Sequence, residues 1–179
     1  MQKKYAHLQI LFHWLTVLLL TVAYATIELR GLADRGSWQR SAIMITHFSA
    51  GLCVLLVMLT RLFLRARHRT PAIVPPVQRW QTALAHLVHT AIYALFIVLP
   101  VLGLCSRYLR GREWWLFGLN MPVSATPNPE LAATLIGWHE TLAPAGYWLI
   151  GLHALAALFH HYFLRDNTLT RMMPTRHSR

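Results

Sequence analysis

Eleven histidines lie in a chain of 179 residues that is 55% apolar and only 13% charged. Those at 13, 47, 86, 89, 139, 153, 160 and 161 fall within long apolar runs, while His7, His68 and His177 sit at or beyond the ends of such runs. A polar side chain inside a bilayer is costly and usually marks function. Neutral imidazole offers metal ligation, hydrogen bonding and proton transfer near neutral pH. His139 and His153 are 14 residues apart in one run. At about 1.5 Å and about 100° per residue, that step covers about 21 Å and returns to within about 40° of the same face. One helix thus presents two imidazoles to one side at two depths. His47 matches His139 in depth, and His13 matches His153. Two neutral imidazoles facing each other across a helical bundle suit the two axial positions of a haem iron. Such an iron is set for electron transfer rather than for binding oxygen. Gly51, Gly137, Gly146, Gly151 and Ala154 lie beside these histidines and leave room for a macrocycle. A lone histidine could equally serve as a bond between helices. Zinc transport would also use histidines, but it favours carboxylates at mid-membrane, and these runs carry none there.

Four elements are needed to position these rings. The apolar runs predict spans at about 8–29, 41–64, 82–106 and 130–164, each of the roughly 20 residues or more that cross a bilayer. The expected fold is therefore an all-α integral membrane protein, a four-transmembrane-helix bundle forming one domain over 1–179. Pro71, Pro75 and Pro76 make the second connection extended. Pro100 with Gly103, and Pro144, are expected to bend spans 3 and 4. Asn128-Pro129-Glu130 reads as a helix start, with a cap, a first-turn proline and an acid at the positive end of the dipole. Between spans 3 and 4, Trp114, Trp115 and Phe117 predict a short interfacial segment lying on the membrane surface. Trp14, Trp38, Trp80, Trp138 and Trp148 read as aromatic belt and packing.

The net charge of +11 could suggest nucleic acid, but the basic residues are spread between apolar runs and form no single face, so no nucleic-acid partner is expected. Lys3, Lys4, Arg61, Arg65, Arg67, Arg69, Arg79, Arg165, Arg171, Arg176 and Arg179 lie on the side of the termini. Arg30, Arg35, Arg40, Arg107, Arg110 and Arg112 lie opposite, with Glu28, Asp34, Glu113, Glu130 and Glu140. Such an asymmetry puts both termini in the cytoplasm. Cys53 and Cys105 fall in apolar segments and predict no disulfide, and no Cys-x-x-Cys-His is present for covalent haem attachment. The first run reaches span length with His13 and Trp14 near its start, so it reads as a span rather than a cleavable leader. His86 and His89 on span 3, with His160 and His161 on span 4, lie at one level and could line a quinone pocket or simply sit at the interface.

The chain resembles the bacterial cytochrome b561 family, and within it the superoxide oxidase type. The resemblance runs nearly end to end. It is carried by LQILFHW around His13, ELRG closing span 1, TH-x3-G at His47 and LAHLVHTAIY in span 3. WHETLA at His139, GLHALAALFHHYF and the tail DNTLTRMMP continue it. It implies two b haems, the inner on His13 and His153 and the outer on His47 and His139. It also implies oxidation of superoxide to oxygen at the periplasmic face of the inner membrane and reduction of ubiquinone, with His89 and His160 as candidates for the quinone site. The outer arginines could draw in a small anion, and Arg30, which closes span 1, is the leading candidate. The alternative function is a non-enzymatic cytochrome b subunit that carries electrons for a membrane dehydrogenase or hydrogenase.

Overall fold

The computed structural model describes residues 4–174; Lys3, Arg176, His177 and Arg179 lie outside them. Four helices dominate, α1 (His7–Leu29), α2 (Trp38–Arg67), α3 (Arg79–Leu109) and α4 (Pro129–Phe159). α4 runs on into a π-helical turn, His160–Leu164, so its apolar stretch extends from Pro129 to Leu164. All four are long and apolar enough to cross a membrane. Two of them begin a turn before the expected spans because polar residues outside the apolar window cap them. The Ser37 hydroxyl accepts from Arg40 N–H, and the Gln81 side chain reaches back to Gln78 N–H. At α4 the expected cap forms, with the Asn128 carboxamide oxygen accepting from Leu131 N–H at 2.9 Å.

The helices form two hairpins, α1 packed on α2 and α3 on α4, joined mainly along α2 and α3. The backbones of α1 and α4 stand apart, and large side chains bridge them. At the centre, Val54, Met58, Phe96 and Leu99 form the buried cluster, with Tyr24 against it. Tyr24 donates to the Ala143 carbonyl at 2.8 Å across the α1–α4 gap. It reaches there because Gly146 has no side chain; a Cβ at that position would lie 1.9 Å from the Tyr24 hydroxyl. Gly146, expected beside His139, instead makes room for this tyrosine.

The segment after α3 differs from a flat surface stretch. Trp115–Leu116 (β1) and Leu119–Asn120 (β2) pair antiparallel in a small hairpin. Phe117 and Gly118 make the turn with φ of 50° and 79°, the signs of a type I′ turn. Asn-Gly is the usual signal for this turn, and a phenylalanine in its first position hid it from the sequence. The hairpin docks on α2, with Phe117 N–H donating to the Ser49 hydroxyl at 2.9 Å. Trp114 and Leu116 are buried, while Trp115 and Phe117 stay exposed. Trp114 is thus a packing residue, and the interfacial reading holds only for its two exposed neighbours.

At the opposite end the segment after α4 ties three parts of the chain together. Trp14 donates its indole N–H to the Met172 carbonyl, and Tyr5 N–H donates to the Arg171 carbonyl. The buried Arg171 guanidinium reaches the Pro71 carbonyl, and Asn167 exchanges bonds with Val74. Trp14 therefore serves as a fastener between the first helix and the tail as well as an aromatic at the helix end.

Replacing Gly146 by alanine should destabilise the protein by about 1–3 kcal/mol through overpacking. The loss should be smaller in a Tyr24→Phe background, which removes the hydroxyl from its path. Thermal unfolding of the detergent-solubilised variants measures both, and equal losses in the two backgrounds would contradict the geometry.

Candidate haem-binding site

Two histidine pairs face each other across the bundle, one above the central cluster and one below it. On the side of the α1–α2 and α3–α4 connections, the loop side, His47 of α2 meets His139 of α4. Their ring centroids are 6.3 Å apart at an interplanar angle of 82°. On the side of the termini, His13 of α1 meets His153 of α4 at 6.1 Å and 74°. Metal–imidazole bonds of about 2 Å on each side put the centres of two axial rings about 6 Å apart. Both pairs have that spacing. Among the described residues no group of three or more metal-ligating side chains converges. An ion bound by protein alone would need such a group, whereas a haem iron needs only two axial ligands.

Hydrogen bonds to Nδ1 decide which nitrogen is free. His139 Nδ1 lies 2.7 Å from the Leu99 carbonyl, and His47 Nδ1 lies 2.9 Å from the Ala23 carbonyl. A carbonyl only accepts, so each ring carries its proton on Nδ1 and keeps the Nε2 lone pair for a metal. Leu99 lies within α3, one residue before Pro100, whose missing N–H leaves the Phe96 carbonyl without its helical donor. Gly103 also serves this ring, since a Cβ would stand 3.3 Å from His139 Nδ1. Gly103, expected only to bend α3, thus makes room for the histidine of α4. His47, Phe48, Gly51, Pro100, Gly103, Leu104, Arg107 and His139 line the cleft around this pair. At Gly51, Gly137 and Gly151 an added Cβ would meet nothing within 4 Å, so those positions border open space.

The pair on the terminal side has a different partner. Arg61, which the sequence shows only as part of a basic run, turns into the bundle. Its guanidinium contacts His13 Nδ1 at 3.2 Å and Thr16 Oγ1 at 3.1 Å, and it lies 5.5 Å from the Tyr93 ring centre. Arginine is a donor only, so here it is the Nδ1 lone pair that is engaged. Ligation through Nε2 requires His13 to exchange the Arg61 contact for a proton on Nδ1. Nothing in the spacing of Arg61 distinguishes it from Arg65 or Arg67; only packing does.

His89 of α3 lies against His153, with centroids 5.2 Å apart, so the lower pair is flanked by a third ring. His160 is held elsewhere, its Nδ1 2.5 Å from Asp166 Oδ2. Burial alone would raise the Asp166 carboxyl, but the bonds from His160 and Thr168 outweigh it and hold the group below the usual carboxylate range. No ring contact or hydrogen bond joins His89 to His160 among the described residues. A small pocket on this side is lined by His161, Arg165, Asp166, Asn167, Thr170 and Val74. His86 is contacted by Arg65 at 3.4 Å. On the loop side, the Arg40 guanidinium is spent on the carbonyls of Arg30 and Ala33, and the Arg30 side chain is not among those lining the His47–His139 cleft.

The sequence matches the family model of prokaryotic cytochrome b561 over residues 4–175. It is 51% identical to a Yersinia pestis protein named as a probable superoxide oxidase, CybB, over 97% of this chain and 98% of that one. It is 43% identical to cytochrome b561 homolog 1 of Escherichia coli strain K12, over 97% and 98% of the two chains. Homolog 2 of the same strain is 24% identical over 96% of this chain and 92% of its own length.

Gly103→Val should push the His139 imidazole from its seat beside Leu99. The purified variant is expected to lose haem from one site, seen as a lower haem-to-protein ratio in the pyridine haemochrome assay. A ratio equal to that of the parent protein would show that Gly103 has no part in seating the ring.

Proposed function

The chain belongs to the prokaryotic cytochrome b561 family of membrane electron-transfer proteins, and we propose that it is a di-haem superoxide:ubiquinone oxidoreductase of the bacterial inner membrane. The observation that carries this reading is the presence of two histidine pairs, spaced for axial ligation at 6.1 and 6.3 Å, on opposite sides of one apolar cluster. His47 and His139 would hold one haem b, and His13 and His153 the other. When bound, the haems supply the one-electron chemistry that links the two faces. The excess of arginine and lysine on the side of the termini supports placing that side in the cytoplasm and the His47–His139 pair toward the periplasm.

The substrates follow from the name of the 51% identical relative and from the chemistry at each end. Two superoxide ions each give up one electron and leave as oxygen. One ubiquinone takes the two electrons and two protons and leaves as ubiquinol. On the periplasmic side, arginines face a small anion, with Arg30 at the end of α1 as one attracting charge. On the cytoplasmic side, His89 stands beside His153 within reach of a quinone carbonyl. His160 is fixed at Nδ1 by Asp166, which leaves Nε2 to exchange a proton with the quinone. Because His89 and His160 do not touch, they would contact opposite ends of the quinone head or act in succession.

Detergent-purified protein should carry about two b haems per chain. His153→Ala and His139→Ala should each remove one of them, and His153→Ala with both haems still low-spin would break the proposed pairing. A superoxide pulse should reduce the haems of the intact protein within milliseconds. If they stay oxidised under the pulse but are reduced by dithionite, the protein is an electron carrier and superoxide is not its donor. His89→Ala and His160→Ala should slow quinone reduction severalfold at unchanged haem content, and unaltered quinone kinetics in both would remove them from the site.

A further inference from the structure

We propose that Arg107 is the anion-receiving residue of the loop-side cleft, binding an anionic oxygen through its buried Nε–H. Arg107 lies near the end of α3 and lines the same cleft as His47 and His139. Among the described residues no other arginine lines it. The guanidinium is held in place, 5.1 Å from the Phe48 ring centre, with Nη2 at 3.5 Å from the Glu113 carbonyl. Phe48 directly follows His47 in the chain, so one side chain both borders the histidine pair and supports the arginine.

Its Nε is nevertheless buried without a hydrogen-bond partner. Leaving a charged N–H buried and unbonded costs more than leaving a neutral one, and such a group in a native protein calls for an acceptor. The described residues offer none. Among the described residues the one contact within 4 Å between a basic group and a carboxylate is His160–Asp166, on the opposite side. The Glu28 carboxylate accepts from the Tyr147 hydroxyl. The fork of a guanidinium is suited to carboxylates and other anionic oxygens, and its charge does not titrate away. An anionic oxygen can reach this position from two sources. One is a propionate of the haem held by His47 and His139; the other is a free superoxide ion entering the cleft. The first rests on the haem reading above and the second on the superoxide reading.

The test uses the intact haem-loaded protein, its Arg107→Gln and Arg107→Lys variants, and Arg112→Gln as the measure of losing a charge from the same side. Two quantities are read: the midpoint potential of each haem by spectroelectrochemistry, and the rate of haem reduction after a superoxide pulse at several ionic strengths. For the propionate, Arg107→Gln shifts the reduction equilibrium of one haem about tenfold, or about 59 mV for one electron, toward the oxidised form beyond the Arg112→Gln shift. Loss of that haem alone, with the other retained, has the same meaning. For the free anion, potentials match those of Arg112→Gln while the superoxide rate falls severalfold further and depends less on salt. Arg107→Lys keeps the charge without the Nε–H and is expected to move part-way in the same direction. Should Arg107→Gln fail to fold, a lysine variant with parental potentials and rates overturns the proposal. Potentials, haem content and rates matching Arg112→Gln overturn it as well. A parent protein that superoxide does not reduce sinks the superoxide reading by itself, and the potentials then decide on Arg107.

Discussion

An imidazole placed inside an apolar bundle has to satisfy two nitrogens, and the main chain can satisfy only one of them at a time. At His47 and His139 a backbone carbonyl takes the Nδ1 proton, which commits Nε2 to whatever faces it across the bundle. Much of the surrounding sequence serves that commitment. The Leu99 carbonyl receives His139, and Gly103 clears the volume for the ring. Because α1 and α4 stand apart, the His13 and His153 rings can oppose each other without collision of the backbones.

The same separation needs filling where no ring pair is present. Tyr24, with Phe96 and Tyr147 around it, fills the gap midway between the two pairs. Gly146, whose missing side chain admits Tyr24, lies seven residues from both His139 and His153, or about 10 Å along the helix in each direction. The molecule thus alternates along its axis between a polar pair, a packed apolar layer and a second polar pair. The two histidine levels are spaced by one helix, α4, through its regular rise.

The large features were legible in the residues because they rest on periodicity. Four apolar runs of spanning length give four helices, and the 14-residue step on α4 gives the two histidine levels. The features that escaped depend on contacts between distant residues. The hairpin at Phe117-Gly118 lacks the usual turn residues. Arg61 and Arg65 look alike in sequence, yet only Arg61 contacts the His13 ring, while Arg65 reaches His86. Asp166 lies just beyond an apolar run, and nothing in its spacing shows that it is buried against His160. Of the glycines expected to make room for a macrocycle, Gly146 yields to a tyrosine, while Gly51, Gly137 and Gly151 border open space; Gly103, expected only to bend α3, yields to a histidine.

The tail bears on how the molecule is made. Its contacts reach Tyr5 and Trp14 at the start of the chain and Pro71 and Val74 in the middle. During synthesis the first helix is in place long before residues 167–172 leave the ribosome. Trp14 and the proline-rich connection therefore wait without their partners until the fourth span has been inserted. The clasp can close only when α4 returns the chain to the side of the termini; with α4 inverted or missing, the ends of the other helices on that side would stay untied.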